Sequence, residues 1–402
     1  MSGSMWLVAR CFLPVRQNSL TLHVIMAEKD CSENNTNHCA GRKQPPCSVF
    51  AGMRPAVVAG RPDGRVIIAG PCSAESRDQV LETAKGLKDV GIDIFRAGIW
   101  KPRTRPGGFE GCGERGLQWL REVKNITGLP VATEVATAAH VEAALDAGVD
   151  LLWIGARTTV NPFAVQEIAD CIKEKGGDVA ILVKNPANPD VDLWIGAMQR
   201  LYNAGGRRIG AVHRGFCVYG NNSFRNPPQW HVPIELRRRM PDLQILCDPS
   251  HIGGDVALVA PLAQQACDLG FDGLMIESHC SPQAALSDAA QQLTPVQLAG
   301  LIASLPVKNV GGVSADLMVL RAEIDRLDEE LLAVLEKRMS LADEIGRRKQ
   351  AFNMPVLQPE RYGKMMDSRV QKAMELGLNR DFVASLFSAI HAESVSRQLK
   401  LK

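Results

Sequence analysis

Residues 66–72 read Val-Ile-Ile-Ala-Gly-Pro-Cys, a short apolar run that leads directly to the reactive side chain of Cys72. Seven further apolar runs repeat this plan, and their starts recur roughly every thirty residues, as in alternating strand and helix units. The eight runs are Val66–Ala69, Ile94–Phe95, Leu129–Val131, Leu151–Ile154, Val179–Val183, Ile209–Val212, Ile245–Leu246 and Leu274–Ile276.

Amphipathic stretches such as Ser76–Gly91 and Ala139–Gly148 separate the runs. Each is long enough for a helix that returns the chain to a parallel neighbouring strand. The pattern predicts an α/β fold, a (β/α)8 TIM barrel of roughly 250 residues, with its active site at the carboxyl ends of the strands. A doubly wound open sheet is the alternative, but no Gly-x-Gly-x-x-Gly turn follows any of the runs.

The residues that follow the runs are mostly charged or able to bind metal. In order they are Cys72, Arg96 with Lys101, Glu134, Arg157, Lys184, His213 with Arg214, Asp248 with His251, and Glu277 with His279. Cations gathered at one rim repel one another and are costly to desolvate, so they indicate an anionic ligand, most simply one that carries a phosphate and a carboxylate. Salt bridges to Glu134, Asp248 and Glu277 are the structural alternative.

Composition limits the remaining possibilities. A chain of 402 residues suggests two or three domains, and a net charge of +2 gives no electrostatic footprint for nucleic acid. Eleven cysteines without framework spacing indicate a reducing compartment, so we expect a cytoplasmic protein. No apolar stretch approaches the length of a membrane span.

Residues 1–60 differ from the rest, and we predict a disordered or loosely ordered arm. The segment Asn34–Pro46 is polar, and Met5–Ala9 is too short for a signal-peptide core. The scarcity of acids before Glu28 leaves a transit peptide open, and Met26 could equally be the true start.

A second boundary follows the barrel, which we assign to residues 61–305. Residues 306–315 form a linker with Gly311-Gly312, and residues 316–402 are predicted to be all helix. One helix of roughly 35 residues begins this domain, because apolar residues recur at steps of three and four with no proline before Pro355. Two short following helices cannot cover so long a stripe, which predicts an intertwined homodimer and leaves a tetramer open.

Two cations on the long helix share one face. Arg338 and Lys349 lie eleven residues apart and return to within about 20° of each other, whereas Arg321 points roughly 100° away from Arg338. If Arg321 serves a site, it reaches the site of a partner chain. A solvated charged face is the simpler alternative.

Seven barrel motifs resemble the 3-deoxy-D-arabino-heptulosonate 7-phosphate (DAHP) synthase family, in its shorter branch related to 3-deoxy-octulosonate 8-phosphate synthase. They are Ala69-Gly-Pro-Cys-Ser73, Lys101-Pro-Arg-Thr104, Ile154-Gly-Ala-Arg157, Val183-Lys184, His213-Arg-Gly215, Asp248-Pro-Ser-His251 and Ala285-Leu-Ser-Asp288. The helical tail resembles the all-helical chorismate mutases. Its matching positions are Arg321, Arg338, Lys349, Arg361, Ser394 and Gln398.

The first resemblance implies a condensation of phosphoenolpyruvate with erythrose 4-phosphate. Its implied metal ligands are Cys72, His251, Glu277 and Asp288, and a mixed thiolate, imidazole and carboxylate set suits one divalent Mn, Fe, Co or Zn ion. The implied phosphoenolpyruvate ligands are Arg96, Lys101, Arg157, Lys184 and Arg214. Arg103 and Thr104 would take the sugar phosphate, since octulosonate synthases usually have Lys-Ala-Asn-Arg there. Arabinose 5-phosphate remains the alternative substrate.

The second resemblance implies that the tail rearranges chorismate to prephenate. Lys349 and Gln398 would hydrogen-bond the ether oxygen, and Arg338 with the partner's Arg321 would hold carboxylates. Arg361, Ser394 and Gln358 complete the implied set, although Gln358 and Tyr362 stand where some relatives have acids. The candidate catalytic residues are Lys101, His251, Lys349 and Gln398. A regulatory module that binds chorismate or prephenate and throttles the barrel, or a plain dimerisation clasp, remains open for the tail.

Overall fold

The computed structural model describes residues 50–102, 107–176, 178–220, 223–306 and 315–401, without the side chains of 315–317 and 319. Within these ranges the chain divides into two compact units, and the boundary along the chain falls between Leu305 and Pro306. The predicted linker, 306–315, lies almost wholly outside the described ranges, and the domain limits stay a prediction. No helix in the described ranges is long and apolar enough to cross a membrane.

The first unit is a closed barrel of eight parallel strands in sequence order, as the apolar runs predict. β1 pairs with β2 on one side and with β8 on the other, which closes the sheet. The strands are β1 Val66–Gly70, β2 Ile94–Arg96, β3 Val131–Val135, β4 Leu151–Ile154, β5 Ala180–Lys184, β6 Ile209–His213, β7 Gln244–Cys247 and β8 Gly273–Glu277.

Helices connect the strands and cover the outside of the barrel. They are α1 Arg77–Lys88, α2 Arg115–Thr127, α3 Ala138–Asp146, α4 Ala156–Thr159, α5 Pro162–Glu174, α6 Val191–Asn203, α7 His231–Arg239, α8 Pro249–Gly253, α9 Val256–Asp268 and α10 Pro295–Ser304. Polar side chains begin several of them: Thr137, Asn161 and Asp190 each accept a hydrogen bond from a backbone N–H of the first turn.

Alternation along the strands sorts their side chains into two cores. Inward residues such as Ile68, Trp153 and Leu182 fill the barrel, and outward residues such as Ile67, Leu152 and Val183 pack against the helices. The inward set continues in steps of two to the carboxyl ends, where it becomes polar. It places Cys72, Glu134, Lys184, Arg214, Asp248 and Glu277 around one opening.

β3 begins later than we predicted, at Val131 instead of Leu129. Pro130 has no N–H to give to the ladder, so its neighbour Val131 is the first residue that can pair regularly. Thr133 and Glu134 belong to this strand although they are polar. Thr133 donates its hydroxyl to the Ala97 carbonyl, and Glu134 turns toward the opening.

The end of the predicted arm packs on the barrel. Residues 1–49 lie outside the described ranges, but Ala56 and Val57 are buried at the amino end of the barrel beside its inner core. The Val57 N–H donates to Gln244 Oε1 at 3.0 Å, and Gln244 Nε2 donates to the Val57 carbonyl at 2.8 Å. Apolar burial and these two hydrogen bonds thus hold the end of the predicted arm, within residues 50–60, on the barrel.

The second unit consists of the predicted long helix and two followers. They are α11 Ala315–Ala351, α12 Pro359–Glu375 and α13 Arg380–Lys400, and α13 packs against both α11 and α12. Arg397 holds Asp343 through two hydrogen bonds of 3.0 and 2.6 Å, which ties α13 to the second half of α11. The first half of α11 has an exposed apolar stripe that includes Leu320, Ile324 and Leu331, each at least half exposed.

Candidate functional site

Four predicted metal ligands converge at the carboxyl end of the barrel. Donor atoms of Cys72, Glu277 and Asp288 all lie within 4.8 Å of one another. His251 Nε2 lies 3.6 Å from Glu277 Oε1 and 4.0 Å from Asp288 Oδ2. One sulfur, one imidazole nitrogen and two carboxylates thus face a common point, although they come from four separate segments of the chain.

Asp248 fixes the orientation of His251. Its Oδ1 accepts the His251 backbone N–H at 3.0 Å and begins α8, while its Oδ2 lies 2.7 Å from His251 Nδ1. The same Oδ2 accepts the Lys184 ammonium at 2.7 Å. Because Nδ1 is engaged by the carboxylate, Nε2 is left to face the cluster, as in metal-binding histidines supported by an acid.

Glutamine and arginine side chains hold the two carboxylates of the cluster. Gln291 Nε2 donates to Glu277 Oε2 at 2.7 Å, and Arg225 bridges Gln291 Oε1 at 2.7 Å and Asp288 Oδ1 at 3.1 Å. Asp288 has a left-handed backbone with φ of 53°, a conformation that aspartate tolerates better than most residues. These contacts keep Asp288 at the cluster despite its short side chain.

Burial and neighbouring charges decide the protonation of the cluster. Burial, followed by the nearby Glu277, raises the pKa of the Cys72 thiol to about 12, and burial lowers the pKa of His251. Burial alone would raise the pKa of Asp288, but Arg225, then His251 and Lys101, hold it at about 2. The bare site thus presents two carboxylates and a neutral imidazole, which are the protonation states that metal ligands require.

This donor set fits a divalent transition metal. A sulfur ligand and an imidazole do not suit Mg²⁺ or Ca²⁺, which prefer all-oxygen sites. A bound cation would also favour the thiolate of Cys72, whose burial otherwise keeps it protonated. The residues Cys72, His251, Glu277 and Asp288 can therefore hold one such ion.

A cleft lined by cations opens beside the cluster. Its lining includes four of the predicted anion ligands, Lys101, Arg157, Lys184 and Arg214, together with Glu134. Lys101 Nζ donates to the Cys72 carbonyl at 2.8 Å and approaches Cys72 Sγ at 3.0 Å. Burial would lower the pKa of Lys101, but Cys72, Glu134 and Glu277 outweigh it and raise that pKa, so the ammonium stays charged. The cleft and the cluster share His251 and Asp288, and Lys101 of the cleft contacts Cys72 of the cluster.

Arg96, the fifth predicted anion ligand, lies deeper than the others. Its guanidinium is 1% exposed, contacts Glu277 Oε1 at 3.2 Å and the Cys72 carbonyl at 2.9 Å, and lies over the Trp153 ring. It is not among the described residues that line the cleft. Its Nε has no hydrogen-bond partner among the described residues.

Two histidines of the strand ends do not join the site. His213 points outward, where Trp194, Phe216, Trp230 and Phe271 surround its ring, and burial lowers its pKa to about 3. His279 turns toward Glu75, with Nε2 3.9 Å from Oε2. The outward direction of His213 follows from strand alternation, since it occupies the same side as Ile209 and Ala211.

Arg225 is a site residue that the sequence did not reveal. It follows no strand directly, because it lies in the long segment between β6 and α7. Gly254 lets this arginine approach, since a Cβ there would come within 2.5 Å of Arg225 Cβ. The predicted sugar-phosphate ligands Arg103 and Thr104 lie outside the described residues, so their roles stay a prediction.

The helical unit contains a second pocket, of about 420 Å³, formed by α11, α12, α13 and the segment before α12. Its lining includes the predicted residues Arg338, Lys349, Gln358, Arg361, Ser394 and Gln398. Arg338 donates to the Ser394 hydroxyl at 2.7 Å, and Lys349 Nζ lies 3.4 Å from Gln398 Oε1. Desolvation is the main cause that lowers the pKa of Arg338 and of Lys349. The second cause is the charge of Arg369 for Arg338 and the charge of Arg361 for Lys349.

Two basic residues of the pocket escaped the sequence prediction, Arg369 and His391. Arg361, Met365 and Arg369 follow at steps of four on α12, a spacing that places them on one helix face and would have indicated Arg369. None of the described residues that line this pocket carries a carboxylate. The excess of cations suits an anionic ligand.

Arg321 does not reach the pocket of its own chain. It is exposed on the first half of α11, seventeen residues before Arg338, which is about 25 Å along the helix axis. The predicted role of Arg321 therefore depends on a second chain.

Two family models match the chain. The model described as the DAHP synthetase I family matches residues 34–305, and the model described as chorismate mutase type II matches residues 320–399. Together the two matches cover the barrel and the helical unit.

Curated relatives and a solved structure match the barrel. The phospho-2-dehydro-3-deoxyheptonate aldolase of Thermotoga maritima is 34% identical over 227 residues, which are 56% of this chain and 64% of the relative. The 2-dehydro-3-deoxyphosphooctonate aldolase of Wolinella succinogenes is 28% identical, over 60% of this chain and 97% of the relative. The crystal structure of the Thermotoga maritima DAHP synthase has a TM-score of 0.54 and 31% identity, over 60% of this chain and 67% of that one. The chain thus spans less than two thirds of the Thermotoga sequence.

Proposed function

Because this chain belongs to the DAHP synthetase I family and carries a chorismate mutase type II domain behind its barrel, we propose that it catalyses one reaction in each unit. The barrel condenses phosphoenolpyruvate with erythrose 4-phosphate to DAHP and phosphate. The helical unit rearranges chorismate to prephenate. The main support for the proposal is that the four proposed metal ligands and the cation-lined cleft lie together at one barrel opening.

The barrel residues neutralise and align two phosphorylated substrates. Lys101, Arg157, Lys184 and Arg214 bind the phosphate and carboxylate of phosphoenolpyruvate, and this positioning supplies much of the rate acceleration. A divalent metal held by Cys72, His251, Glu277 and Asp288 supplies a Lewis acid for the sugar aldehyde. The charged Lys101 ammonium, beside Cys72, donates a hydrogen bond to the aldehyde oxygen as negative charge develops there.

The bond changes follow from the two substrates. The enol carbon of phosphoenolpyruvate forms a bond with the aldehyde carbon, and water adds to the carbon that carries the phosphate oxygen. The carbon–oxygen bond to that phosphate then breaks, so phosphate leaves and a ketone remains. The chain has only to bind and orient the two substrates and to exclude competing water. The buried side chains of Arg96 and Trp153 favour this exclusion.

In the helical pocket, charge near the breaking ether bond favours the rearrangement. Lys349 and Gln398 donate hydrogen bonds to the ether oxygen, while Arg338 and Arg361 bind carboxylates. The pocket needs no acid, base or metal for this step, because the reaction is an intramolecular rearrangement of one compressed conformer.

The two barrel substrates can be tested together by phosphate release. We expect the full chain, supplied with Mn²⁺ and phosphoenolpyruvate, to release phosphate with erythrose 4-phosphate at least about tenfold faster than with arabinose 5-phosphate. Phosphoenolpyruvate alone is the control. A faster rate with arabinose 5-phosphate would assign the barrel to octulosonate synthesis, and release without any aldehyde would contradict the condensation.

Two further features support a cytoplasmic homodimer. All the described cysteines are free thiols, as a reducing compartment favours. The apolar stripe on the first half of α11 is about half exposed in the single chain, and covering each of its large side chains with a second chain stabilises by about 1 kcal/mol. An antiparallel partner helix would also bring Arg321 of the partner subunit to the pocket.

Mixing two inactive variants tests this dimer. Arg321→Ala and Lys349→Ala chains are each expected to lose mutase turnover alone. After joint unfolding and refolding, the mixture should recover about a quarter of wild-type turnover, because half of the dimers are mixed and one site in each is intact. No recovery, with dimers confirmed by light scattering, would place Arg321 outside the active site of the partner. A monomeric mass in light scattering would contradict the proposed homodimer.

A further inference from the structure

The helical pocket leaves one polar group without a partner. The Nε2 atom of His391 on α13 is buried and accepts or donates no hydrogen bond to any described residue. A buried unpaired polar atom costs about 1–3 kcal/mol, so such atoms in native proteins commonly mark a ligand or a bound water. His391 also lines the pocket, together with the residues assigned to the ether and carboxylate groups.

Neighbouring side chains hold the His391 ring in place and keep it neutral. The ring lies 4.4 Å from that of Tyr362, at an angle of 32°. Burial, followed by the charges of Arg338 and Lys349, lowers the pKa of His391, so a neutral imidazole faces the pocket near pH 7. A neutral imidazole has one donor and one acceptor nitrogen, and a protonated one would add repulsion to a pocket already lined by Arg338, Lys349, Arg361 and Arg369.

The residues assigned so far leave one polar group of chorismate without a partner. Chorismate carries two carboxylates, an ether oxygen and one ring hydroxyl. The cations and Gln398 account for the first three, whereas the pocket has no carboxylate to accept from the hydroxyl. A hydroxyl can donate to one tautomer of His391 and accept from the other, so it suits an imidazole in either form.

We propose that His391 is a substrate-binding residue whose Nε2 hydrogen-bonds the ring hydroxyl of chorismate. This inference rests on the proposed mutase function and assigns the hydroxyl contact to a residue of α13. Tyr362 then acts through His391, because its ring packs against the imidazole and fixes the direction of Nε2.

An analogue of chorismate that lacks the ring hydroxyl tests the contact. We expect the wild-type chain to bind chorismate about tenfold or more tightly than the deoxy analogue, since the analogue leaves Nε2 buried and unpaired. In His391→Phe, which keeps a ring against Tyr362, the two ligands should bind within about twofold of each other. Binding is measured by calorimetry and the kcat/KM ratio by initial rates.

Two further variants separate hydrogen bonding from packing. His391→Gln, whose amide can donate and accept, should keep part of the preference, and Tyr362→Phe should keep it, since only the phenol oxygen is lost. A preference for chorismate that persists in His391→Phe, or disappears in Tyr362→Phe, overturns the proposal. If His391→Phe fails to fold, as circular dichroism would show, a reduced but measurable preference in His391→Gln supports the contact, and an unchanged or completely lost preference with normal helicity overturns it.

Failure of the proposed function has a different signature. If the wild-type chain binds chorismate with the hydroxyl preference but does not convert it, the mutase activity is refuted and the His391 contact stands. If it converts chorismate and the deoxy analogue with equal kcat/KM, the mutase stands and the His391 contact is refuted. If chorismate does not bind, both are refuted.

Discussion

Replacing Cys72 by alanine is expected to lower phosphate release from phosphoenolpyruvate and erythrose 4-phosphate by at least about a thousandfold. The substitution removes the only sulfur of the cluster and leaves His251, Glu277 and Asp288 as ligands. Three remaining ligands bind a divalent ion more weakly, and a misplaced ion no longer polarises the aldehyde in the right direction. Lys101 also loses its contact with Sγ, although its hydrogen bond to the Cys72 carbonyl remains.

Metal binding and turnover are measured on the same samples. Removing metal from the wild-type chain with a chelator should give a similar loss, which added Mn²⁺ reverses, whereas the Cys72→Ala variant should recover little. Cys171→Ala is the matched control, because this partly buried thiol on α5 lies outside the cluster and hydrogen-bonds the Ala138 carbonyl. Wild-type rates of phosphate release after the metal has been stripped would contradict the assignment of the four metal ligands. An unchanged circular dichroism spectrum of Cys72→Ala would show that the barrel is folded.

Replacing Lys349 by alanine is expected to lower the kcat/KM for chorismate by at least about a thousandfold and to leave phosphate release by the barrel unchanged. The ammonium is the one cation that the structure places beside Gln398, with Nζ 3.4 Å from its Oε1 and 2.5 Å from the Val356 carbonyl. Removing one donor to developing negative charge costs about 10²–10³ in kcat, and loss of its full charge costs more. We therefore expect the fall mainly in kcat.

Lys364→Ala is the matched control for this variant. Lys364 is exposed on α12 and contacts Glu360, so its removal should leave both reactions within about twofold of wild type. Prephenate formation and chorismate loss are followed together. Chorismate loss without prephenate, or full turnover in Lys349→Ala, would contradict the assigned role. Binding of chorismate without turnover in the wild-type chain would favour the regulatory alternative for the tail.

The fold could be predicted from the sequence because apolar runs and helix periodicity are local signals. The closed barrel and the long first helix of the tail are confirmed. The predicted limits of β3 were displaced because the polar residues Thr133 and Glu134 interrupt the apolar pattern of this strand near the barrel opening. Counting in steps of two along β6 directs Arg214 inward and His213 outward, in agreement with the prediction of Arg214 and not His213 as a site residue.

The rest of the site depends on contacts between distant segments. Arg225 reaches Asp288 from a loop that begins no strand, and Gln291 reaches Glu277 from a turn after β8. Neither has a spacing that a sequence pattern could report. His391 is recognised only from its unpaired Nε2, a property of the packed helices and not of α13 alone.

Ala56 and Val57 close the amino end of the barrel. Their side chains fill the floor beneath Val66, Ile68 and Trp153, and Gln244 locks the backbone of Val57 in place. Among the described residues, the cleft lined by Lys101 and Arg157 opens at the carboxyl end of the barrel, opposite this closed base. We expect a chain trimmed beyond Val57 to expose inner-core residues such as Val66 and Ile68 to solvent at the amino end.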